Sequence, residues 1–185
     1  MARVLLAIAP ERFRDEELFV TQEELKRRGH VTTIGSTRRG KCPGSRGGSA
    51  TATVVLSDAR AKDYDAIVFV GGGGSRMLFA DEDALRLARE GYALGRIMAA
   101  ICLAPVILAN AGVLKGKKAT VAGTEAKAIE AKGARYTGPG VTVDGNVVTG
   151  NAPKASRLFG QKVADLLENR QETSSRTPIR PPGVK

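Results

Sequence analysis

Cys102 is the residue of this sequence best placed to do chemistry. It ends the run Arg96-Ile97-Met98-Ala99-Ala100-Ile101-Cys102, and Leu103-Ala104-Pro105-Val106-Ile107-Leu108 follows. An aliphatic strand thus stops at one thiol, and a helix of small and aliphatic residues takes over. A side chain on such a strand-to-helix turn projects outward. The N-terminus of the next helix favours its thiolate, the nucleophilic form. A second feature lies about 30 residues upstream, where Asp65-Ala66-Ile67-Val68-Phe69-Val70 breaks into Gly71-Gly72-Gly73-Gly74. Glycines let backbone N–H groups approach a substrate oxygen, as an oxyanion hole requires. A thiolate facing such donors is the outline of an attack on a carbonyl. A partner base, normally His, would complete it. The chain has one histidine, His30, directly after a helix stop, and nothing brings it to the same place. The competing readings are a buried inert thiol and a plain tight turn.

Other chemistries are less well served. The four glycines match neither G-x-G-x-x-G nor G-x-x-x-x-G-K-[ST], so phosphate binding is set aside. Cys42 stands in the basic stretch Gly40-Lys41-Cys42-Pro43-Gly44, where Arg38, Arg39 and Lys41 would favour an exposed reactive thiolate. A bystander role fits it better. Two cysteines make no disulfide framework and lack metal-ligand spacing, so no metal and no cofactor are expected, and a reducing compartment is. The net charge of +10 raises the question of a polyanionic partner. Basic residues are scattered over helix faces and aromatics make up only 4%, so nucleic acid is not the expected partner.

These residues need a scaffold, and 185 residues with 42% hydrophobic content suffice for one α/β domain. No apolar run approaches the ~20 residues that span a bilayer. The apolar N-terminus, residues 1–8, is short for a secretory signal and reads as the first strand of a cytoplasmic protein. Strands are predicted over 3–8, 30–34, 50–56, 65–70, 97–101 and 119–121, with a hairpin over 141–149 turning at Asp144-Gly145. Helices are predicted over 15–28, 81–94 (Asp81 as N-cap), 104–111 (Pro105 in the first turn), 124–132 and 152–168. Residues 35–48, basic and glycine-rich, read as a loop. Residues 1–169 form the domain, and 170–185 read as a polar, Pro-containing tail. Alternating strands and helices imply a mostly parallel sheet covered on both faces, with the ligand crevice at the carboxyl ends of its strands. Cys102 and the glycine run both end strands, so they can share that crevice.

Residues 65–72 and Ala99-Ala100-Ile101-Cys102-Leu103-Ala104-Pro105 resemble the two signature segments of the ThiJ/PfpI family, which includes intracellular cysteine peptidases and the parkinsonism-associated deglycase. Phe13-Arg14-Asp15-Glu16-Glu17-Leu18 is similar to the family's acidic segment after the first strand. Residues 111–120 are similar to the stretch after the elbow helix, and the hairpin through Asp144-Gly145-Asn146 agrees too. The likeness covers residues 2–168. It implies a flavodoxin-like three-layer sandwich and a homodimer or larger homo-oligomer. It also implies Cys102 as nucleophile, Glu17 as the carboxyl contacting it, and the N–H groups of Gly72 and Leu103 as oxyanion donors, with Gly71 and Gly73 beside them. A protonated Glu17 would donate a hydrogen bond to the thiolate.

The departures are specific. Peptidase-like members carry His directly after the nucleophile, where this chain has Leu103. Deglycase-like members draw a His from the segment after the next strand, where this chain has Ala122. Val70 replaces the usual Pro. General-base catalysis typically contributes 10²- to 10⁴-fold, so peptide or amide hydrolysis is expected to be weak. The resemblance therefore implies a Cys-dependent activity of glyoxalase or deglycase type on small carbonyls, with a hydrolase acting on peptide or amide bonds as its neighbour. The alternative is a non-enzymatic oxidative-stress sensor or chaperone whose Cys102 is oxidised to sulfinate.

Overall fold

The structure is a computed structural model and describes residues 1–175. A seven-stranded sheet runs β10-β11-β7-β6-β1-β2-β5 across the molecule. Its strands are β1 (Arg3–Ala7), β2 (Val31–Ser36), β5 (Val54–Val55), β6 (Ala66–Phe69), β7 (Ile97–Ile101), β10 (Val141–Asp144) and β11 (Val147–Gly150). All pairings in it are parallel except the β10–β11 hairpin.

The central strands are apolar on both faces because both are covered. Leu5, Ala7, Ile67, Phe69, Met98 and Ala100 face one core with Ala84, Leu87, Ile107 and Ile129. These come from α2 (Glu82–Ala93), α3 (Pro105–Asn110) and α4 (Ala126–Glu130). Val4, Leu6, Ala66, Val68, Ile97, Ala99 and Ile101 face the other, with Leu18, Leu25, Phe159 and Val163. Those belong to α1 (Asp15–Arg27) and α5 (Ser156–Ser175). The alternation is the period of two that a pleated strand imposes. Each fully buried Leu or Ile contributes about 1.5–3 kcal/mol. At the start of α2, Asp81 accepts a hydrogen bond from the Ala84 N–H at 2.9 Å, the N-cap expected of it. Arg28, which closes α1, bonds both Asp165 and Glu168 of α5 and staples the two helices together.

Several expectations are corrected. Residues 35–48 are not a loop. They hold the end of β2, strand β3 (Gly40–Pro43) and the turn into β4 (Ser49–Ala52), and β3 and β4 pair as an antiparallel hairpin. The strand predicted over 50–56 is therefore split between that hairpin and β5. The hairpin is held from outside its own sequence. The Asp15 carboxylate accepts the N–H groups of Arg46 and Gly48 at 3.0 and 2.7 Å, and the Arg12 N–H donates to the Pro43 carbonyl. Cys42 lies inside this packing, fully buried with Phe13, Ala50 and Ala52 nearby in the same core, so it is not an exposed thiol. The strand placed at 119–121 is β8 (Lys118–Ala119), pairing with an unforeseen β9 (Arg135–Tyr136). The closing helix does not stop at Glu168 but continues to Ser175, so residues 170–175 are helix rather than tail. The rest of the predicted tail lies outside the described residues. No described helix is long and apolar enough to cross a membrane.

Candidate active site

β6 and β7 are neighbours in parallel register, so the glycine run after β6 and the cysteine after β7 emerge side by side at the carboxyl edge of the sheet. Cys102 itself has φ +62°, a left-handed conformation that costs a non-glycine residue of order 1 kcal/mol or more. Its backbone is pinned on both sides. The Cys102 N–H donates to the Gly150 carbonyl at 2.9 Å, and its own carbonyl accepts the Ala122 N–H at 2.7 Å. The turn leaves the side chain partly accessible, packed on the core that α1 and α5 cover.

Glu17 reaches this thiol from α1. A side chain on Gly71 would begin 2.6 Å from Glu17 Oε1 and 2.9 Å from Cys102 Cβ, so the two functional groups flank one spot that only a glycine leaves open. Gly72, at φ +97°, is pressed against the loop after β1: a Cβ there would lie 2.4 Å from the Arg14 nitrogen. The peptide between these glycines is held on both sides. Its carbonyl, that of Gly71, accepts the Arg14 N–H at 3.0 Å, and its N–H, that of Gly72, points at the Cys102 sulfur. Bonding at the carbonyl polarises the peptide and strengthens the N–H as a donor. The Leu103 N–H is the second donor to the sulfur.

Electrostatics then separate what the sequence implied from what the fold allows. Glu17 is fully buried, and neither carboxyl oxygen has a well-aligned hydrogen bond among the described residues; its polar neighbour is the Cys102 thiol. Burial raises its pKa to about 8, against the pull of the Arg14 charge, so the carboxyl is mostly protonated at neutral pH. The thiol moves the other way from the expectation of an easily formed thiolate. Burial, and then the Glu17 charge, push Cys102 up to about 11, and the N–H groups of Leu103 and Gly72 together with Arg14 only partly offset them. The helix that was to favour the thiolate, α3, begins at Pro105 and has six residues, so its dipole is short. Ionising either member of the Cys102–Glu17 pair opposes ionising the other. A thiolate therefore forms most readily while Glu17 keeps its proton and can donate it toward sulfur.

The structure brings together Cys102, Glu17, Gly71, Gly72 and Leu103. Gly73 opens a short 3₁₀ turn, and its Cβ position faces open space. His30 is at the opposite edge of the sheet, buried, its Nδ1 accepting the Ala2 N–H at 3.2 Å. Burial lowers its pKa, so it is a neutral structural imidazole. Ala122 does stand against the elbow, through its bond to the Cys102 carbonyl, and supplies no base. Sequence reasoning missed Arg14, whose charge acts on both Glu17 and Cys102. The signal was its spacing: three residues before Glu17 at the N-cap of α1 is one helical turn away. No cluster of three or more His, Cys, Asp or Glu suited to a metal lies among the described residues.

A parallel sheet with an elbow cysteine at φ > 0, a glycine peptide beside it and a buried glutamate across from it defines a class, and comparison with known proteins bears it out. The chain belongs to the DJ-1/PfpI family, whose model matches residues 2–166. A protein of Methanocaldococcus jannaschii is 42% identical over 92% of this chain and 85% of its own length. Deglycase PfpI of Pyrococcus furiosus is 33% identical over 89% of this chain and 99% of its own. The crystal structure of a ThiJ/PfpI domain protein from Brachyspira murdochii has a TM-score of 0.88 at 30% identity, covering 90% of this chain and 96% of that one. The fold is flavodoxin-like, as the resemblance implied.

Proposed function

We propose that this protein uses Cys102 to add to small reactive carbonyl compounds or their adducts, in the manner of a glyoxalase or deglycase. The observation carrying the reading is the buried, mostly protonated Glu17 beside a thiol that faces two N–H donors, with no histidine at Leu103 or Ala122. Addition to an aldehyde needs only a nucleophile and a proton for the new alkoxide. The thiol proton leaves to water, sulfur forms a bond to the carbonyl carbon, the C=O π pair moves to oxygen, and Glu17 is placed to supply the alkoxide's proton and to regain one from water. Cleaving an amide further requires a proton for the leaving amine, which a His would normally deliver. Peptide or amide hydrolysis is therefore the weaker form of the proposal. The deglycase name of the Pyrococcus furiosus relative agrees with the carbonyl form.

Methylglyoxal consumption by the wild type and by Cys102→Ser tests it. The wild type should consume the aldehyde well above background and the variant should not. Equal rates sink the proposal.

One observation favours a second reading. The unpartnered Glu17 oxygens and the two N–H groups at the sulfur are the partners a Cys102 sulfinate would use. Two equivalents of peroxide would each transfer one oxygen to sulfur and leave as water, which makes the protein a peroxide sensor. Intact-mass analysis after mild peroxide decides it: absence of a stable two-oxygen adduct on Cys102 eliminates this role.

A further inference from the structure

Which carbonyl compounds or other electrophiles the thiol prefers depends on the charge beside it, and the surroundings of Arg14 bear on that. Its backbone N–H is bonded to the Gly71 carbonyl, on the far side of the peptide whose N–H faces Cys102, so the residue is fixed to the wall of the site. Its side chain is 27% exposed, neither free in solvent nor sealed in the core. Nε is engaged by Glu16 at 2.6 Å. A guanidinium has five N–H donors in a planar fork, and one bond at Nε leaves most of that fork for a ligand. At the two positions where relatives of the ThiJ/PfpI type carry histidine, Leu103 and Ala122 offer no charge. Among the described residues Arg14 is the cation whose field reaches both members of the Cys102–Glu17 pair.

We propose that Arg14 is the specificity-determining cation of this site, and that Cys102 therefore prefers electrophiles carrying a carboxylate or other oxyanion beside the reacting carbon. The proposal rests on Cys102 being the reacting group, as in the preceding section, but not on turnover. A 2-oxo acid or an aldehyde acid fits the description; a neutral 2-oxoaldehyde would reach the same sulfur without the guanidinium's attraction. A bidentate oxyanion on the outer N–H groups would hold the electrophilic carbon near the thiol, while the Glu16 bond keeps the fork from swinging away.

Alkylation of the full chain reads this without requiring catalysis. Iodoacetate and iodoacetamide both lose iodide as the sulfur–carbon bond forms, and they differ by the carboxylate. The rate ratio of the anionic to the neutral reagent at Cys102, located by peptide mass, is measured at neutral pH and low salt for the wild type, Arg14→Gln, Arg14→Lys and Glu16→Gln. The ratio should fall about fivefold to tenfold in Arg14→Gln and be largely kept in Arg14→Lys. It should rise in Glu16→Gln, which removes the competing carboxylate charge while its amide oxygen can still accept from Nε, and fall in the wild type as salt is added. A ratio unchanged in both Arg14→Gln and Glu16→Gln overturns the proposal. Consumption of glyoxylate against methylglyoxal separates this result from the parent reading. If neither aldehyde is consumed while the alkylation ratio depends on Arg14, the carbonyl activity fails and the anion preference stands.

Discussion

Helix α1 carries two fully buried carboxyls, Glu17 and Glu24, two turns apart and therefore on one side of the helix. They have opposite environments. Glu24 lies under α5, where Arg157 reaches it from that helix and Arg27 from its own, the latter at 2.5 Å. Burial works against its charge, yet the hydrogen bonds from Arg157 and Arg27 outweigh it and hold Glu24 below the usual carboxylate range. Glu17 meets no guanidinium directly. It faces a thiol, and burial leaves it with a proton near neutrality. Burial alone therefore says little about a carboxyl's charge; what it faces decides whether it is held as an anion or keeps its proton. A paired carboxylate joins two helices, whereas an unpaired one is costly to bury as an anion and keeps its proton.

A large effect should come from Glu24. Glu24→Ala removes the partner of two arginines at the α1–α5 contact and leaves a small void there. Tm measured by circular dichroism should fall by roughly 5–10 °C. The rate of Cys102 alkylation in the folded protein should stay at the wild-type value, since the network does not touch the elbow. If Glu24→Ala shifts the alkylation rate above pH 8 as much as Glu17→Gln does, α1 transmits strain to the site and the division between the two carboxyls fails.

Asp15-Glu16-Glu17 shows how far such distinctions can be read without a structure. Three consecutive acids at the start of a helix look alike in sequence and read as a solvated, dipole-compatible first turn. At about 100° per residue they face three ways. Asp15 turns to the β3–β4 hairpin and accepts two of its N–H groups; Glu16 turns to Arg14; Glu17 turns into the core toward Cys102. Only the family resemblance singled out Glu17. The strands β1, β6 and β7 were legible because burial on both faces forces a continuous apolar run, and the elbow was legible because it ends such a run. The β3–β4 hairpin was not: its residues are small and basic, and what orders it is a side chain from another element. Nor was the thiol's pKa, since the helix N-terminus is a local feature visible in sequence, whereas the desolvation that outweighs it depends on how the whole chain packs over Cys102.

An effect of comparable size and opposite sign should come from Glu17. The folded pKa of Glu17 is about 8 against an ordinary 4.5, so the folded chain holds this proton more tightly than the unfolded chain. The resulting stabilisation is fully present below about pH 4.5 and is lost as pH rises toward 8, amounting to a few kcal/mol across that window. Gln cannot ionise and should not suffer the loss. Glu17→Gln should come close to the wild type in Tm near pH 5 and exceed it by roughly 10 °C near pH 9, the reverse of Glu24→Ala. Thiol reactivity gives a second, independent readout. Above pH 8 the wild-type Glu17 charge opposes ionisation of Cys102, so the variant should react faster with iodoacetamide there. Near pH 7 the carboxyl is mostly neutral and the two proteins should differ little. The variant-to-wild-type rate ratio should therefore climb through pH 8. A ratio that stays flat while the Tm difference grows would mean that Glu17 titrates out of reach of the sulfur, and would return it to the company of Glu24.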